Sequence, residues 1–171
     1  MRAGPKGAVT SLPLDFTGWP DDRAARRERF VREYLITPKG AGAGRPFDLR
    51  RFQQEIVRGA FAPRIRTALV SLPRANGKSA LAAALAVAEL FVGPASAEVL
   101  VVASDQRQAN IVLRMTRRMI ELSPELLERT HIYADKLFVP ENDALLLQRR
   151  VDPPTKEKRR GSRLNSDAPP V

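Results

Sequence analysis

Cysteine is absent from the 171 residues, and histidine occurs once, at His131. The first absence excludes disulfide bonds and thiolate metal sites, and the second excludes a metal site built from several histidines of one chain. The longest apolar run, Ala80 to Val92, is interrupted by Glu89 and is shorter than the ~18–20 residues that cross a bilayer. Met1 to Pro13 lacks the apolar core of a secretory signal. The sequence therefore predicts neither a membrane span nor a signal peptide.

Acidic residues are few relative to basic ones. Lys and Arg number 29 against 19 Asp and Glu, which gives a formal net charge of +10 and a pI near 10.9. This surplus favours polyanionic partners, nucleic acid above all, because basic side chains that neutralise phosphates release bound counterions. The alternative is a surface that merely carries more basic residues than acidic ones. Hydrophobic residues make up 43% of the chain, enough for the packed core of one domain.

The apolar patterning predicts strands that alternate with helices. Short β-branched and aliphatic runs predict buried strands at Thr67 to Leu72 and at Glu98 to Ala103. The alanine-rich run Ser79 to Val92 predicts a helix between them, and a further helix is expected from about Gln106 to Leu122. This order indicates a βαβ unit with a parallel sheet. The remaining expected features are helices at Arg23–Leu35 and Asp48–Ala60, a helix cap at Ser104 or Asp105, and hairpin strands at Lys136–Val139 and Ala144–Gln148.

Gly77-Lys78-Ser79, between the first strand and the alanine-rich helix, has the residues that a phosphate-binding loop needs. Gly77, preceded by Asn76, permits a sharp bend that turns backbone N–H groups inward. The helix adds its unpaired N–H groups and the positive end of its dipole. Lys78 would reach the β- and γ-phosphates, and Ser79 would give a hydroxyl to Mg²⁺. The alternative is an Asn-Gly turn in which Lys78 and Ser79 only begin a helix.

The rest of the loop differs from the general pattern G-x-x-x-x-G-K-[ST]. Leu72 stands where the first glycine is expected, and Pro73 follows it. Arg74 lies inside the loop, where its guanidinium would offset transition-state charge near a γ-phosphate, as an arginine finger supplied by the same chain. The alternative for Arg74 is an ordinary surface arginine.

The loop Leu72-Pro73-Arg74-Ala75-Asn76-Gly77-Lys78-Ser79 resembles the variant Walker A loop of tailed-bacteriophage terminase large subunits. In that family a Pro-Arg pair commonly replaces the early glycine region and Asn-Gly-Lys-Ser follows, so the departure at Leu72 is expected there. The resemblance extends over roughly Phe47 to Leu147. Its supporting stretches are Phe52-Gln53, Val101-Val102-Ala103-Ser104, Gln108-Ala109 and Ser123-Pro124-Glu125-Leu126.

The resemblance implies an α/β fold, with an incomplete P-loop NTPase-type parallel sheet flanked by helices in a partial P-loop ATPase domain (21–147). Composition predicts disordered termini on either side of it: a Gly- and Pro-rich flexible N-terminal segment (1–20) and a basic tail (148–171) with almost no apolar periodicity. The implied cofactors are ATP and Mg²⁺. The implied nucleotide-binding residues are Gln53, Arg74, Asn76, Gly77, Lys78 and Ser79, with Ser79 also at the metal and Arg74 catalytic. The amide of Gln53 would read an adenine edge, the alternative being an ordinary exposed helix glutamine.

Intact members of the family would be ATP-driven motors that thread phage DNA into an empty capsid and carry a C-terminal nuclease domain. The resemblance therefore implies double-stranded DNA as a partner, together with the small terminase subunit and the capsid portal. It implies action in the cytoplasm of a bacterial host, without a membrane, and is compatible with a homo-oligomer.

One feature of the family has no counterpart in the sequence: a hydrophobic strand ending in Asp-Glu, whose Asp holds Mg²⁺ and whose Glu activates water. The clustered nuclease carboxylates have none either. We interpret the chain as truncated or frame-shifted near Gln148, the alternative being a naturally short protein that borrows the carboxylate from another chain. Unaided ATP turnover is expected to stay at background. An incomplete sheet also predicts low solubility or an oligomeric partner.

Two other functions are compatible with the sequence. The first is another P-loop DNA-dependent ATPase of the helicase or DNA-repair kind. The second is a non-enzymatic basic protein that binds nucleic acid through the tail Gln148 to Val171 and ignores nucleotides. Nucleotide binding that depends on Lys78 distinguishes the terminase and helicase-like interpretations from the non-enzymatic basic protein.

Overall fold

A computed structural model describes residues 12–103 and 106–150 of the chain. The expected cap at Ser104 or Asp105 lies outside the described residues, as do residues 1–11 and 151–171 of the termini expected to be disordered. The helices are α1 (Arg23–Tyr34), α2 (Arg51–Ala60), α3 (Lys78–Val92), α4 (Gln106–Glu121) and α5 (Pro124–Leu127). The strands are β1 (Glu98–Ala103), β2 (His131–Ile132), β3 (Lys136–Val139) and β4 (Ala144–Arg150). The predicted α/β class is confirmed.

The strands form one 4-stranded sheet in the order β1-β4-β3-β2. β1 and β4 are parallel, with Val99 opposite Leu146, whereas β3 is antiparallel to both β4 and β2. The sheet is therefore mixed: β1 and β4 form its parallel pair, and β3 and β4 form the predicted hairpin. The connections explain the difference: short turns join β2 to β3 and β3 to β4, and such turns link antiparallel neighbours, while the long connection through α4 allows β1 and β4 to run parallel.

Helix α3 is the centre of the core. Most of its residues from Leu81 to Val92 are buried, and many of them are alanines, whose small side chains let neighbouring helices approach closely. Phe91 of α3 stacks on Phe30 of α1, with ring centroids 5.6 Å apart. A smaller apolar cluster joins α1, α2 and the start of α3 through Ala24, Val57 and Leu81. Although α3 is largely apolar, no helix in the described ranges is both long enough and apolar enough to cross a membrane.

Strand β1 is covered on one face only, which corrects the prediction of a buried strand. Exposure alternates along β1, and Leu100 and Val102 are 48% and 49% exposed. Val99 and Val101, on the other face, pack against the core that α3 and α4 help to form. β1 also lies at the end of the sheet, so no described strand pairs with its outer edge.

The segment Thr67 to Leu72, predicted as a buried strand ahead of the loop, is not a strand in the structure. Its residues are mostly exposed, and Leu69 is 97% exposed. A strand needs a ladder of hydrogen bonds to a neighbouring strand, and none of the described strands pairs with this segment. The prediction is therefore corrected: within the described chain, the loop has a helix after it and no strand before it.

Residues 12–20, part of the segment expected to be flexible, pack on α1. The rings of Phe16 and Trp19 meet edge to face with centroids 4.8 Å apart, and Trp19 lies 6.1 Å from the ring of Tyr34. The guanidinium of Arg29 lies 4.6 Å from the Trp19 ring centroid. Two aromatic side chains thus join this part of the Gly- and Pro-containing segment to the core, which its local composition does not indicate.

Candidate phosphate-binding site

The loop ahead of α3 contains two residues in the left-handed conformation and a side-chain hydrogen bond between two of its own residues. Ala75 has φ 68° and Gly77 has φ 72°. Glycine adopts such an angle freely, whereas the Cβ of Ala75 makes it unfavourable there. Asn76 Nδ2 donates to the carbonyl oxygen of Pro73 at 3.4 Å and holds the turn closed. Gly77 thus supplies the bend that a phosphate loop requires.

Helix α3 begins without a capping side chain, with Gly77 as its N-cap. Its first backbone hydrogen bond runs from the N–H of Leu81 to the carbonyl oxygen of Gly77, at 2.8 Å. The N–H groups of Lys78, Ser79 and Ala80 have no hydrogen-bond partner within the described part of the chain. Unpaired N–H groups and the positive end of a helix dipole together favour an anion at this end of α3.

A cavity of about 550 Å³ lies against the loop and the first turn of α3. Its lining residues are Leu72–Ala80, Thr37–Gly40, Ile111 and Met115. The charged side chains of this wall are Lys39, Arg74 and Lys78, and none of the described residues that form it is acidic. The cavity therefore has the charge that a polyphosphate requires, and the structure brings the predicted residues Arg74, Asn76, Gly77, Lys78 and Ser79 together around it.

Ser79 stands on the first turn of α3 and lines this cavity. A hydroxyl oxygen is a ligand that Mg²⁺ accepts, and Mg²⁺ commonly takes its other ligands from phosphate groups and water. Within residues 12–103 and 106–150, no three or more His, Cys, Asp or Glu side chains gather in a cluster that could hold a metal ion. Ser79 thus fits as one ligand of an Mg²⁺ ion that is bound to a nucleotide's phosphates.

Gln53 lies in the first turn of α2 and is 5% exposed, so it is not the exposed helix glutamine of the alternative interpretation. Its Oε1 accepts a hydrogen bond from the N–H of Arg50 at 3.0 Å. Its Nε2 donates to the carbonyl oxygen of Asn76 at 3.5 Å. Gln53 therefore lies against the loop, although the two are 23 residues apart in sequence.

A second cavity, of about 440 Å³, adjoins the loop on the side of α2. Gln53 lines this cavity and does not line the larger one, whereas Asn76 and Gly77 line both. Asn76 and Gly77 thus border both spaces, whereas Arg74, Lys78 and Ser79 line only the larger one and Gln53 lines only the smaller one.

The connection between α1 and α2 folds back against the loop and adds a cation that the sequence does not predict. Its backbone hydrogen bonds run from Thr37 N to Arg45 O at 2.8 Å and from Gly44 N to Thr37 O at 3.1 Å, and they close it into a hairpin. Lys39, near the tip, lines both cavities. The glycines of this segment reveal a turn, but no local pattern shows which part of the molecule the turn approaches.

Known proteins resemble the chain over the region that carries this loop. The family model for the terminase large subunit, ATPase domain, matches residues 54–137. Over 115 residues the chain is 32% identical to the terminase large subunit of Enterobacteria phage HK97. Over this region the chain is similar to phage terminase large subunits. The resemblance seen in the loop is thereby confirmed, and the helicase-like alternative loses its support.

The fold agrees with that of a solved terminase. The crystal structure of the HK97 bacteriophage large terminase aligns with a TM-score of 0.68 at 27% sequence identity. That alignment covers 78% of this chain and 28% of the solved chain, and the sequence match covers 64% of this chain and 23% of its relative. The chain thus spans about a quarter of the length of the terminases it matches. The P-loop type of α/β arrangement is consistent with this structural match.

Proposed function

We propose that this chain binds ATP and Mg²⁺ through the loop Leu72 to Ser79, as the nucleotide-binding portion of a motor that packages phage DNA. The observation that carries the proposal is the start of α3, where the unpaired N–H groups and Lys78 border a cavity whose charged lining residues are all cationic. A triphosphate is the polyanion that a terminase ATPase domain would use, so the family match supports the same assignment.

The loop residues would divide the work of holding the nucleotide. The backbone of Asn76 and Gly77 and the ammonium of Lys78 would hold the β- and γ-phosphates, and Ser79 would contribute its hydroxyl to the metal. Mg²⁺, when bound, supplies charge neutralisation between these phosphates. Arg74 is exposed, lines the same cavity and makes no ion pair with the described residues, so its guanidinium is available to a γ-phosphate. Gln53 belongs to the proposed site as the side chain that supports the loop from α2.

Double-stranded DNA is the proposed substrate of the motor, with the small terminase subunit and the capsid portal as protein partners. The net charge of +10 supports the assignment of DNA, because cationic side chains bind the phosphate backbone through counterion release. The proposed site of action is the cytoplasm of the bacterial host. The outer edge of β1, with which no described strand pairs, is compatible with assembly into a homo-oligomer.

The proposal is tested by titrating a fluorescent ATP analogue, with Mg²⁺, against the wild-type chain and Lys78→Ala. We expect the variant to lose about 10- to 100-fold in affinity, since a charge-assisted contact to phosphate contributes about 1.5–3 kcal/mol. Lys136→Ala is the matched control, because Lys136 lies on β3 over the ring of Tyr133 and lines neither cavity. Equal affinities of wild type and Lys78→Ala would refute the proposal and favour the basic protein that ignores nucleotides.

ATP hydrolysis by the purified chain is expected to stay at background. The sequence contains no apolar strand ending in Asp-Glu, so the chain itself offers no such carboxylate to orient the attacking water. Phosphate release is measured with and without double-stranded DNA. Turnover that Lys78→Ala abolishes would contradict this expectation and would reveal a carboxylate elsewhere in the chain that performs the step.

A further inference from the structure

Both the oxygen and the nitrogen of the Gln53 side-chain amide make hydrogen bonds within the protein. Its oxygen accepts from the N–H of Arg50, the N-cap residue of α2, as in a capping box. Its nitrogen donates to the Asn76 carbonyl oxygen and is so close to the loop that a Cβ placed on Gly77 would lie 3.2 Å from it. A glutamine amide has two N–H groups and two oxygen lone pairs, so half of its capacity is committed to the backbone.

The hydrogen bond from Gln53 to the Asn76 carbonyl also affects the direction of the Gly77 N–H, because the two groups belong to one planar peptide. In a trans peptide the carbonyl oxygen and the following N–H point in opposite directions, and the described residues contain no cis peptide. When Gln53 holds the Asn76 carbonyl on the α2 side, the N–H of Gly77 is turned away from α2. The larger cavity is lined by Gly77, Lys78 and Ser79 and not by Gln53.

We propose that Gln53 is a positioning residue, which fixes the peptide between Asn76 and Gly77 so that the Gly77 N–H faces the bound phosphates. This role rests on the proposed function of the loop and deepens it. It differs from reading an adenine edge, because Gln53 would act on every ligand that carries the phosphate chain, whatever its base. Since the donor comes from α2, the arrangement also holds the loop in place although no described strand precedes it.

The first test needs no nucleotide. Asn76-Gly77 is the one Asn-Gly pair in the sequence, so labelling asparagine carbonyl carbon with ¹³C and glycine nitrogen with ¹⁵N gives a single carbonyl-correlated NMR signal for this peptide. In Gln53→Glu the carboxylate still accepts from Arg50 but has no N–H for Asn76, and it repels the Asn76 carbonyl. We expect the signal to move in this variant. An unchanged signal would refute the positioning role.

Gln54→Glu is the matched control. Gln54 is the adjacent residue of α2, and its Nε2 also donates to a backbone carbonyl, that of Leu49, at 3.0 Å. The same substitution there removes an equivalent hydrogen bond without touching the loop, and we expect the Asn76-Gly77 signal to stay in place. A signal that moves equally in both variants would show that the effect is a general loosening of α2 and would overturn the proposal.

A pH titration of Gln53→Glu separates lost positioning from lost packing. Once protonated, the glutamic acid regains an O–H donor for the Asn76 carbonyl, so the NMR signal should return toward its wild-type position as the pH falls through the pKa of this carboxyl. Burial and the facing carbonyl should raise that pKa above the usual Glu value of about 4.3. A signal that stays displaced below pH 4 would identify a packing defect and contradict the positioning role.

The second test compares ATP, GTP and inorganic tripolyphosphate, each with Mg²⁺. Positioning predicts that Gln53→Glu weakens all three by a similar factor, about three- to tenfold for one hydrogen bond. A loss confined to ATP, with tripolyphosphate unaffected, would refute positioning and favour adenine reading. If the wild type binds none of the three, the proposed function of the loop fails, while the NMR signal still decides whether Gln53 sets this peptide.

Discussion

The segments that precede and follow the phosphate loop are both apolar in sequence, but they lie in opposite environments. Downstream, α3 is buried along most of its length between α1, α4 and the sheet. Upstream, Thr67 to Leu72 is mostly exposed, with Leu69 almost entirely in solvent. A helix satisfies its own backbone hydrogen bonds and needs only side-chain neighbours, whereas a strand needs another strand for its backbone as well. The difference teaches that apolar composition marks a segment that can be buried but does not supply what buries it.

The same difference explains what holds the loop. The conformation of the loop depends on three features: the start of α3, the hydrogen bond from Asn76 to the Pro73 carbonyl, and the hydrogen bond from Gln53 of α2 to the Asn76 carbonyl. The upstream segment contributes no strand pairing. The loop should therefore respond to substitutions in α3 and α2 and be almost indifferent to substitutions in Thr67 to Ser71.

The largest expected effect comes from one substitution placed on each side of the loop. Leu90→Ala in α3 should lower the free energy of unfolding by about 3–5 kcal/mol, because Leu90 is fully buried and its removal leaves a cavity. Leu69→Ala removes the same atoms from an exposed side chain and should change it by less than about 0.5 kcal/mol. Urea denaturation measures both. A cost for Leu69→Ala comparable to that of Leu90→Ala would mean that something covers this segment in solution.

A smaller effect is expected from the ion pair that joins α1 to α3. Arg27 is 2% exposed, and its Nε donates to Glu89 Oε2 at 2.7 Å. Glu89→Ala would leave this guanidinium buried without its carboxylate, which should cost about 2–3 kcal/mol; the residual exposure of Glu89 places the value below that of a fully buried pair.

The matched control for this ion pair lies on the surface of α1. Arg29 and Glu33 pair at 2.8 Å with both side chains partly exposed, and Glu33→Ala should cost no more than about 0.5 kcal/mol. Both variants are measured by urea denaturation at the same ionic strength. Equal losses for Glu89→Ala and Glu33→Ala would show that Arg27 does not depend on its partner and that α3 is held by apolar packing alone.

Local physics explains which parts of the fold and the candidate site the sequence predicts. The sequence predicts the extent of α3 and β1 because both are apolar runs: Gly93-Pro94 ends the first, and polar residues flank the second. The bend at Gly77 follows from the conformational freedom of glycine. What the sequence does not predict depends on distant parts of the chain. Lys39 reaches the cavity through a fold-back of the α1–α2 hairpin, and Gln53 meets Asn76 across the gap between α2 and the loop. The exposure of Thr67 to Leu72 likewise depends on whether another strand pairs with this segment, and the local sequence does not indicate that.

Apart from the control variants, the smallest expected effect on stability lies on the exposed face of β1. Leu100→Lys and Val102→Lys should each change the free energy of unfolding by less than about 1 kcal/mol, because both side chains already contact solvent. They should nevertheless lower self-association, since lysine on an exposed edge strand opposes edge-to-edge pairing. Sedimentation velocity over a concentration series measures the change. Val101→Lys is the control on the covered face and should destabilise the fold, because Val101 packs against the core. Strong destabilisation by Leu100→Lys would instead show that this face of β1 is buried in solution, as most residues of α3 are.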